Sequence, residues 1–216
     1  MDSLTERLNR LFTGIVFDML SDMGRPDQVL PADIQPLDPA GGVLAGPVWT
    51  MSGVPTTNIS KDQSLLRWTE FLGEAPAGHV VLCQPNDARI AHMGELSAET
   101  LKIRGVRGYV VDGGCRDVSS VVEMGFPTFC RYHTPFDIVG RWRVDEMGGR
   151  IRIGEVSIVM GDYVIADRDG VVIIPGDIAE EVVGAAEEAA RTENHMRSAI
   201  LDGMNPRDAY LKFGKF

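Results

Sequence analysis

Apolar and polar positions follow a different rhythm in successive parts of the chain. Residues 3–23 read as two short helices; Ile15, Val16, Met19 and Leu20 share one face of the second, and Thr13 stands where a cap is expected. Gly24-Arg25-Pro26 stops that helix. Residues 25–45, rich in Pro, Asp and Gly, predict an irregular segment with short strands. Gly46 to Met51 opens a strand, and Asp62 to Phe71 predicts a helix with Leu65, Leu66, Trp68 and Leu72 as its apolar positions.

The middle of the chain is more regular. A strand at His79 to Leu82 is followed by a helix from Glu95 to Arg104, with Leu96, Thr100 and Ile103 on one stripe. Gly108 to Asp112 is a continuous apolar strand that ends in a Gly-Gly turn, Val118 to Met124 is a helix, and Phe126 to Cys130 is the next strand. This β-α-β-α-β order predicts a parallel layer with helices packed on it.

From about 138 to 174 short strands take over, at Ile151 to Ile153, Val156 to Val159 and Tyr163 to Ala166. Asp167-Arg168-Asp169-Gly170 is a hairpin turn before Val171 to Ile174, so this part predicts an antiparallel unit. A long helix from Ile178 to Ile200 and a short one from Pro206 to Phe213 close the chain. With no repeat or linker, residues 1–216 read as one domain.

Composition narrows the function. The formal charge of −10 argues against a nucleic-acid partner, which needs a cationic face. It leaves an anionic small molecule open, because a site is local and net charge is global. Three cysteines without a CxxC pair give neither a disulfide framework nor a zinc site, and free thiols predict a reducing cytoplasm. The start of the chain lacks a signal-peptide pattern, and no apolar run is long enough for a membrane span.

Two loops carry candidate chemistry. In Asp112-Gly113-Gly114-Cys115-Arg116-Asp117 a buried strand ends, the chain turns and a helix begins. That is where open α/β sheets place their sites. Arg116 offers a fixed cation for a carboxylate, and Asp117 a hard oxygen for a divalent cation. Equally, Asp117 has the chemistry of an N-cap and Arg116 that of a surface ion pair. The second loop runs from Asn86 to Leu96. Gly94 permits close backbone approach, the amides of Gly94, Glu95 and Leu96 are placed to cradle a carboxylate, and Glu95 to hold a metal-bound water. Its ordinary role would be to complement the helix dipole. His92 offers a proton shuttle or a metal ligand, although a lone histidine in a loop is ordinarily neither. Lys102 is the one lysine placed for a Schiff-base alternative, against a solvated helix face as its plain role. Cys115 beside Arg116 reads as a packed thiol, and Asp167-Arg168-Asp169-Gly170 as a turn rather than a calcium loop.

Glu95 and Arg116 are separated by twenty residues, and Asp117 follows. Together with Gly94-Glu95-Leu96, Gly108 to Asp117, Gly125-Phe126-Pro127 and Gly161 to Pro175, this resembles the class II pyruvate aldolases acting on 4-hydroxy-4-methyl-2-oxoglutarate and 4-carboxy-4-hydroxy-2-oxoadipate. These share a fold with RraA, the regulator of ribonuclease E activity. The family motif is an acid, twenty residues, then Arg-Asp. This chain carries Glu95 where the aldolases commonly carry Asp, and the 52–75 segment departs in length.

The resemblance implies an α/β fold, a layered α-β-β-α sandwich of the RraA-like (swivelling β/β/α) type. It implies Mg²⁺ or Mn²⁺ held by Asp117, and by Glu95 through water. It implies Arg116 over the substrate's keto oxygen and the amides at Gly94, Glu95 and Leu96 on its carboxylate, with Asn58 as an amide side chain near the substrate. The implied activity is retro-aldol release of pyruvate from a 4-hydroxy-2-oxo acid, with oxaloacetate decarboxylation as a second activity. The implied assembly is a homotrimer or a hexamer of two trimers with sites at subunit interfaces, where Glu193 would either approach a neighbour's metal or stand on a solvated helix face. Arg131, His133, Arg141 and Arg143 are candidates for recognising the substrate's distal group, with a solvated or ion-paired surface as their plain and favoured role. The competing class is a non-enzymatic, RraA-like regulator that binds a ribonuclease or another protein. Fold alone does not separate the two.

Overall fold

The computed structural model describes residues 3–214. Two short helices, α1 (Ser3–Leu8) and α2 (Thr13–Asp22), precede β1 (Gln35–Pro36) and a long strand β2 (Leu44–Pro55). Then follow α3 (Lys61–Glu74), β3 (Val80–Gln84), α4 (Glu95–Ile103), β4 (Gly108–Val111), β5 (Gly114–Cys115), α5 (Val118–Glu123) and β6 (Thr128–Cys130). The antiparallel part comprises β7 (Tyr132–His133), β8 (Trp142–Met147), β9 (Ile151–Ile153), β10 (Val156–Ile158), β11 (Tyr163–Asp167) and β12 (Gly170–Ile174). Helices α6 (Ala179–Leu201) and α7 (Pro206–Phe213) end the chain.

The main sheet runs β1-β6-β4-β3-β2-β11-β12, with β8 on β2 as the eighth strand. Its centre, β2, β3, β4 and β6, is parallel, as the β-α-β-α-β pattern predicts. The flanks are antiparallel. β2 is long enough to serve two neighbours on one edge: its start pairs with β11 and its end with β8. Within the β2–β8 ladder the register shifts between Ser52 and Gly53, where Asp145 of β8 is the extra residue of a bulge. Gly53 is required there, because a Cβ would lie 1.8 Å from Trp142 Cζ2.

Strand periodicity distributes side chains into three cores. Val80, Leu82, Val110, Val164, Val171 and Ile173 point into a layer between strands. Their sequence neighbours Val81, Cys83, Tyr109 and Val111 point outward, onto a core shared with Trp68, Phe71, Leu72, Ala98, Leu101 and Val121 of α3, α4 and α5. Ile165, Val172 and Ile174 point outward on the other side, against α1, α2 and α6. The result is helix, sheet, sheet, helix, which agrees with the expected layered sandwich.

Three local expectations need correcting. Strand β8 was not expected from the sequence, although Trp142 and Val144 are buried and Arg143 and Asp145 exposed. Thr13 does not cap α2; it is the first helical residue, and Asp167 from the β11–β12 turn accepts its N–H at 2.8 Å and its hydroxyl at 2.7 Å. On α4 the expected stripe faces the wrong way: Ala98 and Leu101 are buried, whereas Leu96 and Ile103 are exposed.

Candidate active site

Three segments are stitched together at the carboxyl ends of the parallel strands. Ala91 N–H donates to Phe136 O at 2.7 Å, His92 N–H to Gly114 O at 2.8 Å and Arg116 N–H to Met93 O at 2.9 Å. The buried Tyr109 hydroxyl donates to His92 O at 3.1 Å. This brings the loop before α4, the loop before α5 and residues 136–139 to one place.

At that place Gly94 stands at the N-cap of α4 in extended conformation, with no side chain to cap the helix. A Cβ on Gly94 would lie 2.7 Å from Asp117 Oδ2 and 3.1 Å from Arg116 Nε. Only glycine permits so close an approach. Asp117 holds the N-cap position of α5, but in left-handed conformation (φ 54°, ψ 36°) and with no bond from its side chain to its own helix. The carboxylate instead accepts the Glu95 N–H at 3.2 Å. A capping role for Asp117 toward α5 is therefore excluded, and the strained backbone turns its carboxylate to the end of α4. Glu95 N–H is occupied by Asp117, so two of the three expected cradle amides, at Gly94 and Leu96, have no protein partner among the described residues.

Arg116 lies between two acids. Its Nε is 3.4 Å from Asp117 Oδ2, and its Nη1 is 3.3 Å from Asp137 Oδ2. Arg116, Asp117 and Glu95 border a cleft of about 550 Å³ that runs between α3 and α4. Leu65, Trp68 and Leu72 line it from α3, Leu96 and Thr100 from α4, and Asp137, Ile138 and Val139 from the far loop. Among the described residues no group of three or more His, Cys, Asp or Glu is arranged to hold a metal. Asp117 and Glu95 both border the cleft with carboxylates, the hard oxygen donors that a divalent cation takes.

The remaining candidates separate from this group. Asn58 is exposed in the loop between β2 and α3 and is not part of the cleft wall. The His92 ring is enclosed: its side chain is fully buried, packed edge-on to Trp142 at 5.0 Å, with both ring nitrogens lacking a hydrogen-bond partner. Burial pushes the imidazole down to about 4, partly opposed by Asp87, so it is a neutral packed ring. Lys102 is exposed, donates to Met124 O and does not line the cleft. Cys115 is buried, and its hydrogen bond with Cys130 together with its burial hold its thiol above the ordinary range. It is a packed thiol, and Arg116 does not activate it. Asp167 to Gly170 form the β11–β12 turn.

None of the four distal-group candidates lines the cleft. Arg131 bridges Asp112 and Asp33, Arg143 pairs with Asp145 at 2.9 Å, Arg141 pairs with Asp137 at 2.6 Å, and His133 lies exposed on β7. Glu193 pairs with Arg197 on α6. Sequence reasoning missed Asp137, whose only signal was its place in a polar loop, and it missed the apolar wall that α3 contributes.

Residues 13–173 match the family model described as RraA-like, Aldolase/RraA. A Halalkalibacterium halodurans protein provisionally named 4-hydroxy-4-methyl-2-oxoglutarate aldolase is 27% identical over 157 residues, 73% of this chain and 74% of that protein. The Legionella pneumophila protein DlpA is 28% identical over 207 residues, 94% of this chain but only 32% of DlpA. A solved structure from Streptomyces coelicolor, described as an unusual member of the RNase ES inhibitor RraA protein family, has a TM-score of 0.82 at 28% identity. It covers 91% of this chain and 98% of that one.

Proposed function

The chain belongs to the Aldolase/RraA family, and from that premise we propose that it is a divalent-metal-dependent lyase that releases pyruvate from a 4-hydroxy-2-oxo acid. One observation carries this reading. Asp117 spends left-handed backbone to turn its carboxylate off its own helix and onto the end of α4, beside Arg116 and Glu95 in a single cleft.

The donor set fits Mg²⁺ or Mn²⁺, with Asp117 as direct ligand and Glu95 reaching the ion through water. When bound, the ion supplies Lewis-acid polarisation of the 2-oxo oxygen. The free N–H groups of Gly94 and Leu96 hold the substrate carboxylate at the positive end of α4. Cleavage of the C3–C4 bond leaves the electron pair on the pyruvyl fragment, delocalised onto the C2 oxygen. Arg116, held between Asp117 and Asp137, would stabilise that charge as it develops. A water held by Glu95 takes the C4 hydroxyl proton. The enclosed ring of His92 takes no part. Loss of CO₂ from oxaloacetate gives the same enolate, so slow decarboxylation is expected at the same site.

We further propose a homotrimer, alone or paired into a hexamer, that completes the cleft at a subunit interface. The exposed Leu65, Leu66, Leu96 and Ile103 beside the cleft support it. The test is pyruvate release coupled to lactate dehydrogenase. The substrates are 4-hydroxy-4-methyl-2-oxoglutarate, 4-carboxy-4-hydroxy-2-oxoadipate and oxaloacetate, each with Mg²⁺ and with EDTA. Turnover that requires metal and vanishes in Asp117→Ala is expected. The likeness to the Streptomyces coelicolor protein favours one second reading, a regulator that binds a ribonuclease. Absence of turnover together with slowed ribonuclease cleavage in the presence of this protein would support that instead. No helix of the described residues is long and apolar enough to cross a membrane.

A further inference from the structure

Arg116 must point one edge of its guanidinium at the substrate, yet a long side chain on a loop has many rotamers. Asp117 alone is a poor anchor, since under the reading above its charge is shared with a metal ion. The second anchor is Asp137. Its Oδ2 is 3.3 Å from Arg116 Nη1, while its Oδ1 accepts from Arg141 Nη1 at 2.6 Å and from Val139 N–H at 3.1 Å. The Arg141 guanidinium is held in turn over the Phe136 ring, 4.5 Å from its centroid. The Asp137 backbone is fixed too: it bridges to Ala91, which also bridges to Gly114, two residues before Arg116. With Nε and Nη1 anchored, Nη2 is left without a protein acceptor among the described residues.

We propose that Asp137 is a positioning residue that acts through Arg116, with Arg141 and the Val139 amide holding the Asp137 carboxylate in place. Arg141 therefore serves the site indirectly, as the outer member of an Arg116–Asp137–Arg141 chain, and not by meeting the substrate's distal group. This deepens the lyase reading and rests on it.

Asp137→Asn keeps the shape and removes the charge. It should lower kcat about 10- to 100-fold, the scale for a misdirected stabilising group, with KM changed less than about threefold and an unchanged melting temperature. In an Arg116→Ala background the same substitution should change kcat less than about twofold, because the group it acts through is gone. Wild-type kcat in Asp137→Asn, or an undiminished loss in the Arg116→Ala background, overturns the proposal. If the wild type turns over none of the three oxo acids, the lyase reading has failed separately. The four proteins are then titrated with oxalate, an enolate-shaped dianion, in Mg²⁺, followed by tryptophan fluorescence since Trp68 lines the cleft. Weaker oxalate binding in Asp137→Asn that disappears without Arg116 upholds the positioning role. Equal or absent binding in wild type and Asp137→Asn overturns it.

Discussion

His92 should make the protein acid-labile well above the pH at which carboxylates titrate. Its ring is fully buried, and neither nitrogen has a partner. The nearest carboxylate oxygen, on Asp87, is 4.0 Å from Nε2 and already accepts the N–H groups of Arg89 and Ile90. Burial holds the folded imidazole down at about 4, against about 6.5 in an unfolded chain. A folded value below the unfolded one means that the unfolded state binds the proton first. The stability is present above pH 6.5 and is lost as pH falls from there toward 4. Linkage puts the loss at about 2 kcal/mol between pH 7 and pH 5, and about 3 kcal/mol by pH 4. The assay is urea unfolding of wild type and His92→Phe at pH 7, 6 and 5. Any steric cost of the larger ring, and the titration of distant carboxylates, cancel in the change of the difference with pH. That difference should move in favour of His92→Phe by about 2 kcal/mol from pH 7 to pH 5. Parallel stability curves would refute the enclosed, unpaired ring.

Two substitutions probe the cleft itself. Arg116→Ala should cost about 10²- to 10³-fold in turnover in the lactate dehydrogenase assay, the scale for losing one preorganised stabiliser; wild-type-like turnover would remove Arg116 from the chemistry. Gly94→Ala places a methyl 2.7 Å from Asp117 Oδ2. It should displace that carboxylate and weaken Mg²⁺ dependence at least about tenfold, while circular dichroism and melting stay near wild type; an unchanged Mg²⁺ titration would count against the close approach.

Much of the fold was legible because apolar runs, turn glycines and helical patterns are local. The parallel unit β3-α4-β4-α5-β6 shows in the sequence as short apolar runs separated by glycine turns and helical segments, and the structure agrees. Strand β8 carries a different and shorter signal, Trp142 and Val144 alternating with Arg143 and Asp145, which is weaker than the apolar runs around it. Helix α4 shows a real ambiguity. It carries apolar residues on two faces, and only the finished fold decides that Ala98 and Leu101 face inward while Leu96 and Ile103 face outward. The site divides in the same way. The spacing of Glu95, Arg116 and Asp117 was visible in the chain. Whether Asp117 caps α5 or reaches α4 depends on a backbone angle, and sequence does not print one. The enclosure of His92 depends on Trp142, fifty residues away, and the anchoring by Asp137 on a bridge to Ala91.

Strand β2 imposes an order on how the molecule can be made. Val48 to Ser52 can pair with β3 soon after that strand leaves the ribosome, since the partner is close in sequence. Leu44 to Pro47 must wait for Tyr163 to Ala166, and Met51 to Pro55 for Trp142 to Met147. Until then the outer edge of a twelve-residue strand stays open, with buried-type residues on it. Such distant pairings close slowly. A nascent chain stalled before residue 163 would carry an unfinished edge competent to pair with another nascent chain. By this pairing order the antiparallel segment closes the open edge, and its late synthesis is where folding and aggregation are expected to compete.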